Sequence, residues 1–295
     1  MSDKSKGKPR KLPLSPKRRE QNRREFIRTS VLAAGVMGVS LLGFIPVVGG
    51  TSLRLRPPGA IKEPLDEQRF LAACIKCGQC VQVCPVEAIK LSDLDEGFGI
   101  GVPYIAPRDQ ACDFSCDGLQ CVLACPTGAL THELDYPADT RMGFARLDRP
   151  GKCLAIQGKG FKGQARGPGF EGILRYEEID RWNPIPVADH PYDLELCDLC
   201  VRQCPIEIRI ADCAKQDEQR EGEANQALVA KRIGNECPPL HAIALEPVDN
   251  GDGVKRMTPV IKEGCVGCGV CEMICPPEPP AIVIDIRETT DTVGG

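Results

Sequence analysis

Two stretches of this chain place cysteine at identical intervals: Cys74-x2-Cys77-x2-Cys80-x3-Cys84-Pro85 and Cys265-x2-Cys268-x2-Cys271-x3-Cys275-Pro276. Bacterial ferredoxins hold [4Fe-4S] clusters with this spacing: three thiolates at short intervals take three corners of one cluster, and the fourth, turned away by its proline, reaches a neighbouring cluster. Each run therefore implies a second cluster close by. Zinc more often takes two separated Cys-x2-Cys hairpins, and a disulfide framework is the other competing reading.

The partner runs are present. Cys112-x3-Cys116-x4-Cys121-x3-Cys125-Pro126 follows the first run, its looser front spacing absorbed by a wider loop containing Gly118. Exchange of fourth ligands then assigns one cluster to Cys74, Cys77, Cys80 and Cys125, and its neighbour to Cys112, Cys116, Cys121 and Cys84. Ile75, Val81, Val83, Ile89, Val122 and Leu130 are expected to cover them, with Gly78 leaving backbone N–H groups free to approach sulfur. After each proline, Val86–Leu91 and Thr127–Leu130 read as a helical turn leading into a short strand.

The second half repeats the pattern with Cys197-x2-Cys200-x3-Cys204-Pro205 and the closing run, but position 194 is leucine where a first ligand would stand. That ligand must be Cys153, Cys213 or Cys237. Cys153 is preferred because it lies upstream; Cys237, followed by Pro238 and an apolar segment, is the runner-up. With Cys153, a third cluster takes Cys153, Cys197, Cys200 and Cys275, and a fourth takes Cys265, Cys268, Cys271 and Cys204. Cys213 and Cys237 are then left either to form a disulfide or to remain thiols.

The expected fold is α+β: two ferredoxin-like two-cluster modules in tandem, loop-rich, over residues 51–145 and 146–290, with four [4Fe-4S] clusters in all. Insertions at 154–196 and 206–236 interrupt the second module. The first, with Gly158 to Gly163, reads as a flexible loop; the second, over 212–232, reads as a solvated helix. With 8 Phe, 4 Tyr and 1 Trp among 295 residues, the chain has few large side chains for a conventional core, so cluster insertion is expected to drive folding.

Residues 1–50 read as a twin-arginine signal. Eleven Lys or Arg against three acids precede residue 31, ending in Asn22-Arg23-Arg24-Glu25-Phe26-Ile27-Arg28, and an uncharged apolar run covers 31–48. The alternative is a basic N-terminus before a membrane helix; at 18 residues the run is near the lower limit for an anchor, and Pro46 with four glycines between Gly35 and Gly49 weakens it as a permanent helix. Export as folded cargo suits a chain of 18 cysteines, because an unfolded one would scramble into disulfides in the periplasm. The remainder, 26 basic against 38 acidic residues, is acidic, which excludes nucleic acid as a natural partner.

No motif places paired catalytic carboxylates, and Gly97 to Gly101 lacks the dinucleotide-binding spacing and reads as a loop, so the chain is expected to be an electron carrier rather than an enzyme. His132, His190 and His241 are scattered without a second ligand at metal spacing and read as structural or exposed. Trp182 reads as packing within the first insertion.

With these motifs the chain resembles the NapG/MauM ferredoxin-type proteins. The likeness rests on the twin-arginine start, on Gly101-Val102-Pro103-Tyr104-Ile105-Ala106-Pro107-Arg108-Asp109, on Cys125-Pro126-Thr127-Gly128-Ala129-Leu130, on Met142-Gly143, on the Gly151 to Gly158 stretch, on Cys197-Asp198-Leu199-Cys200 and on the closing run. It implies an exported protein with four clusters that passes electrons from a membrane quinol-oxidising partner resembling NapH toward a periplasmic acceptor, a cytochrome or a reductase such as nitrate reductase. The MauM branch implies instead a part in forming methylamine dehydrogenase; a third possibility is the electron-transfer subunit of a molybdenum oxidoreductase. The chain departs from the family pattern in the 43 residues between Cys153 and Cys197 and in the extra residue between Cys112 and Cys116.

Overall fold

The computed structural model describes residues 26–28, 30, 31, 35, 54–60, 67–93, 100–116, 119–134, 136–174, 185–220, 237–248 and 255–288. Contacts divide the chain into two units, one of residues 1–51 with 94–98 and one of 52–93 with 99–295. In the first, Phe26, Ile27, Arg28, Ser30, Val31 and Gly35 are helical, and Phe26, Ile27 and Val31 are exposed. The Arg23-Arg24 pair and most of the apolar run lie outside the described residues, as do Gly97 to Gly99, Gly118 and Trp182. Among the described residues no helix is long and apolar enough to cross a membrane.

The second unit is built from short elements. Arg56, buried beneath helix α1 (Glu67–Ala73), pairs with Glu67, donates to the Pro103 carbonyl at 2.9 Å and lies over the Phe70 ring. This pins α1 against strand β2 (Pro103–Ile105), and Cys74 follows at the helix end, its N–H bonded to the Phe70 carbonyl. Helix α2 (Gln79–Gln82) leads through a turn to β1 (Ile89–Leu91), which pairs antiparallel with β2 so that Ile89 and Ile105, both buried, stand opposite each other. Helix α3 (Gln120–Leu123) packs on α2.

The second half repeats the helix pair. β3 (Phe144–Leu147) pairs antiparallel with β10 (Ile282–Asp285), β8 (Ile243–Val248) with β9 (Arg256–Ile261), and helix α4 (Leu199–Arg202) packs on α6 (Val270–Met273). A turn leads into a strand after Pro85 and after Pro276, but not after the other two prolines. Beyond Pro126, Gly128 turns the chain with φ +67°, and the Leu130 N–H goes to the Cys125 sulfur rather than to a ladder. Pro205 instead opens helix α5 (Pro205–Arg220), where its fixed φ suits a first helical turn.

The first insertion is paired into strands where a flexible loop was expected, and the second carries a helix, as expected, though with an earlier start. In the first, β4 (Phe161–Gly163) pairs with β7 (Tyr192–Leu194), and β5 (Ile173–Leu174) pairs with β6 (Ile185–Pro186). Gln110, a buried residue of the first half, accepts from the Ile173 N–H at 2.7 Å and donates to its carbonyl at 2.8 Å, tying the insertion down. In the second, the helix begins at residue 205, seven positions before the expected start, and residues 221–236 lie outside the described set.

The halves share one core. β3 runs across the expected boundary at 145/146, the Cys112 N–H donates to the Cys268 carbonyl at 3.3 Å, and Met142 N–H donates to the Val266 carbonyl at 3.0 Å. A single buried apolar cluster extends from Leu55 to Ile282 and contains Cys80, Cys112, Cys121, Cys204, Cys265 and Cys268.

Candidate metal centres

Sixteen cysteines carry free thiols, and the fold gathers them into four sets of four. Cys74 at the end of α1, Cys77, Cys80 on α2 and Cys125 beyond α3 line one cavity with Phe70 and Leu130. Burial, reinforced by Cys74, Cys77 and Cys125, pushes the Cys80 thiol up to about 11. Cys112 is raised well above the ordinary thiol range by burial and by Cys116, Cys121 and Cys84, which marks the second set.

In the second half, Cys204, Cys265, Cys268 and Cys271 line a cavity with Ile206, Ile243 and Ile284. Burial pushes Cys204 up to about 12, with Cys265 adding to it. The remaining set is Cys153, Cys197, Cys200 and Cys275: Cys200 is raised well above the ordinary thiol range by burial and by each of the other three. Cys237, the runner-up for this place, is bonded to Cys213 in a disulfide with Cα atoms 6.0 Å apart.

The first insertion explains how Cys153 reaches Cys197 across 43 residues. The β4–β7 ladder folds the insertion back on itself, and the Cys197 N–H closes it by donating to the Lys159 carbonyl at 3.1 Å. The closure is tight at Gly160, where an added Cβ would lie 2.0 Å from the Leu194 carbonyl oxygen. Cys153 itself sits in a small buried cluster with Ala155 and Ala281, against which Cys275 packs.

The short helices place the sets side by side. α2 and the residue pair beyond it carry Cys80 to the first set and Cys84 to the second; α6 carries Cys271 to the fourth, with Cys275 beyond it in the third. Cys80 and Cys121 interact across the first two sets, Cys200 and Cys271 across the last two, and the Cys112–Cys268 backbone bond joins second to fourth. The sets thus adjoin in the order first, second, fourth, third.

Backbone donors meet the sulfurs at the Cys-Pro turns. Ala88 N–H donates to Cys84 at 3.3 Å, Leu130 N–H to Cys125 at 3.4 Å and Ala281 N–H to Cys275 at 3.4 Å. At Cys125 burial acts upward, yet the donors at Leu130, Thr127 and Ala129 outweigh it and leave the thiol below its ordinary value. Of the expected covering residues, Ile89, Val122 and Leu130 are buried, and Val81 and Val83 pack against the core. Ile75 departs from that expectation: it lines the first cavity but is 63% exposed, because the loop that carries it and the exposed Cys77 faces outward.

These sets fit an iron-sulfur cluster. Four thiolates packed together in a buried place repel one another, and cationic iron reverses that penalty. Among the described residues no group of three or more His, Cys, Asp or Glu is placed to hold a single metal ion. Ser115, beside Cys116, has a buried hydroxyl with no partner among the described residues, next to the second set. The histidines stand apart: His241 pairs with Glu207 at 2.8 Å, His132 meets the Cys125 carbonyl at 3.0 Å, and His190 packs on Tyr192.

Sequence reasoning missed Arg108 and Arg166, which converge on the segment around Cys275. Arg108 lies within the Gly101 to Asp109 stretch that carries the family likeness, the one signal that pointed to it.

Comparison with known proteins agrees with the cysteine pattern. The 4Fe-4S dicluster domain family matches residues 73–129, and a 4Fe-4S binding domain family matches residues 262–283. Ferredoxin-type protein NapG of Escherichia coli (strain K12) is 32% identical over 90% of this chain and 86% of its own length. Methylamine utilization ferredoxin-type protein MauM of Paracoccus denitrificans is 30% identical over 88% of this chain and 84% of its own. NapG of Haemophilus influenzae is 30% identical over 95% of this chain and 76% of its own. No solved structure matches. With two 4Fe-4S domains and this likeness along nearly its whole length, the chain belongs to the NapG and MauM ferredoxin-type proteins and is an iron-sulfur electron-transfer protein.

Proposed function

We propose that the sixteen free cysteines hold four [4Fe-4S] clusters and that the protein carries electrons in the periplasm, from a membrane quinol-oxidising partner resembling NapH to a reductase such as nitrate reductase or to a cytochrome. The observation that carries this reading is the gathering of the thiols into four sets of four, each built from two separate cysteine runs or, in the third, from three. Bound there, a [4Fe-4S] cluster supplies one-electron uptake and release. The chain's own residues do the rest: the Cys-Pro turns aim N–H donors at sulfur, Ile89, Val122 and Leu130 exclude water, and the short helices hold adjoining sets at fixed spacing.

The Cys213–Cys237 disulfide supports an oxidising compartment, and with it export by the twin-arginine translocation machinery, the segment 31–48 either leaving with the signal or remaining as an inner-membrane anchor. The MauM relatives favour a second reading, a maturation factor whose electrons serve formation of a client's cofactor. Protein purified without oxygen should contain about sixteen irons per chain with matching acid-labile sulfide; about twelve would leave the third set without a cluster. Mixed with its reductase, the reduced protein should re-oxidise. Reaction with an immature client alone would favour the maturation role.

A further inference from the structure

In a chain whose residues beyond 30 are acidic overall, four basic side chains converge on the segment that runs from Glu272 to Pro280, around Cys275 of the third set. Arg108 reaches across from the first half: Nη1 donates to the carbonyls of Glu272 at 2.6 Å, Met273 at 3.3 Å and Cys275 at 2.7 Å, and Nη2 to Pro277 O at 2.9 Å. Arg166, from the first insertion, donates through Nη1 to the Arg108 carbonyl at 2.9 Å and to Met273 O at 3.1 Å. Arg149 reaches the Pro280 carbonyl at 3.1 Å and Lys152 the Glu278 carbonyl at 2.7 Å.

Arg149 is paired with Asp148 at 3.0 Å, but the charges of Arg108 and Arg166 are less fully offset. Glu278 accepts from Arg108 and forms an ion pair with Arg166, but its side chain is 65% exposed, whereas theirs are 19% and 13% exposed. Glu272 is partly buried nearby, its carboxylate held by the Ile284 N–H at 2.7 Å. Screening by solvent weakens the exposed anion more than the buried cations. Arg108 also keeps a buried Nε–H with no partner among the described residues.

We propose that Arg108 and Arg166 raise the reduction potential of the cluster held by Cys153, Cys197, Cys200 and Cys275, so that this set favours the electron. The inference rests on the loading proposed above. A cluster that accepts one electron from a titrant such as dithionite gains one negative charge, and a fixed cation in a low-dielectric surrounding stabilises that gain. Because one arginine comes from the first half and the other from the insertion, the effect exists only when both are docked on the second half.

The test is a potentiometric titration of the full holo-protein, followed by electron paramagnetic resonance. Arg166→Gln should move the midpoint of one cluster to lower potential, leave the other three in place and leave iron content unchanged; Arg166→Lys should recover most of the shift. Cys153→Ser should abolish the same signal, which assigns it. Should Arg108→Gln fail to load, the Arg166 pair of variants still decides. Four unchanged midpoints in a fully loaded Arg166→Gln protein, or a common shift of all four, would overturn the inference. Colourless wild-type protein would instead end the iron-sulfur reading, and this inference with it.

Discussion

At the scale of single residues, burial separates ion pairs that hold the site from those that decorate it. Arg56 and Glu67 have side chains 7% and 19% exposed, and the guanidinium also bonds the Pro103 carbonyl, so the pair fixes the helix that ends at Cys74. Glu67→Gln leaves a buried cation without its anion and should cost about 3 kcal/mol, toward the lower end for buried pairs. Lys162 and Asp193 form an equally close pair on the surface, with side chains 80% and 74% exposed. Asp193→Asn should leave stability almost unchanged, because solvent already screens the attraction. Thermal unfolding of the two loaded variants in parallel checks both expectations; equal losses would show that burial is not what distinguishes them.

At the scale of elements, the first insertion is the device that completes the third cysteine set. Gly160 lets the chain pass against the Leu194 and Glu195 carbonyls, where a methyl group would sit 2.0 and 2.7 Å from their oxygens. Gly160→Ala should therefore spring the β4–β7 closure and separate Cys153 from Cys197. The expected loss is about four irons of about sixteen, with the first, second and fourth sets intact. Uniform loss from every set would contradict this. The same ladder explains where the sequence stopped being readable. Spacing alone pointed to the first, second and fourth sets, because their ligands lie in local runs whose geometry is fixed by a few residues. The third set depends on Cys153, joined to Cys197 by pairing between strands of three residues each, too short for a periodic signal. The turn-and-strand expectation after Pro126 missed for a related reason: a sulfur acceptor takes the Leu130 N–H in place of a ladder carbonyl.

At the scale of the whole molecule, the cysteines of the second unit fall into two groups, one disulfide and sixteen free thiols. The disulfide closes a separation of 24 residues over the second insertion, and neither of its cysteines belongs to the buried apolar cluster. The free cysteines belong to the core itself: six of them are buried in the apolar cluster that runs through both halves, and the chain has only 8 Phe, 4 Tyr and 1 Trp to fill that space otherwise. Replacing Cys213 and Cys237 by serine should thus lower stability by about 3 kcal/mol and leave iron content and visible absorption unchanged. Stripping iron with a chelator should do much more, since buried thiols and short strands are all that remain to link the helices. The stripped protein should lose its cooperative melting transition and become sensitive to protease across both halves at once, because β3 and the Cys112–Cys268 bond make them one body. A stripped protein that melted at the temperature of the loaded one would mean that the apolar contacts suffice and that the cysteines are passengers in the core.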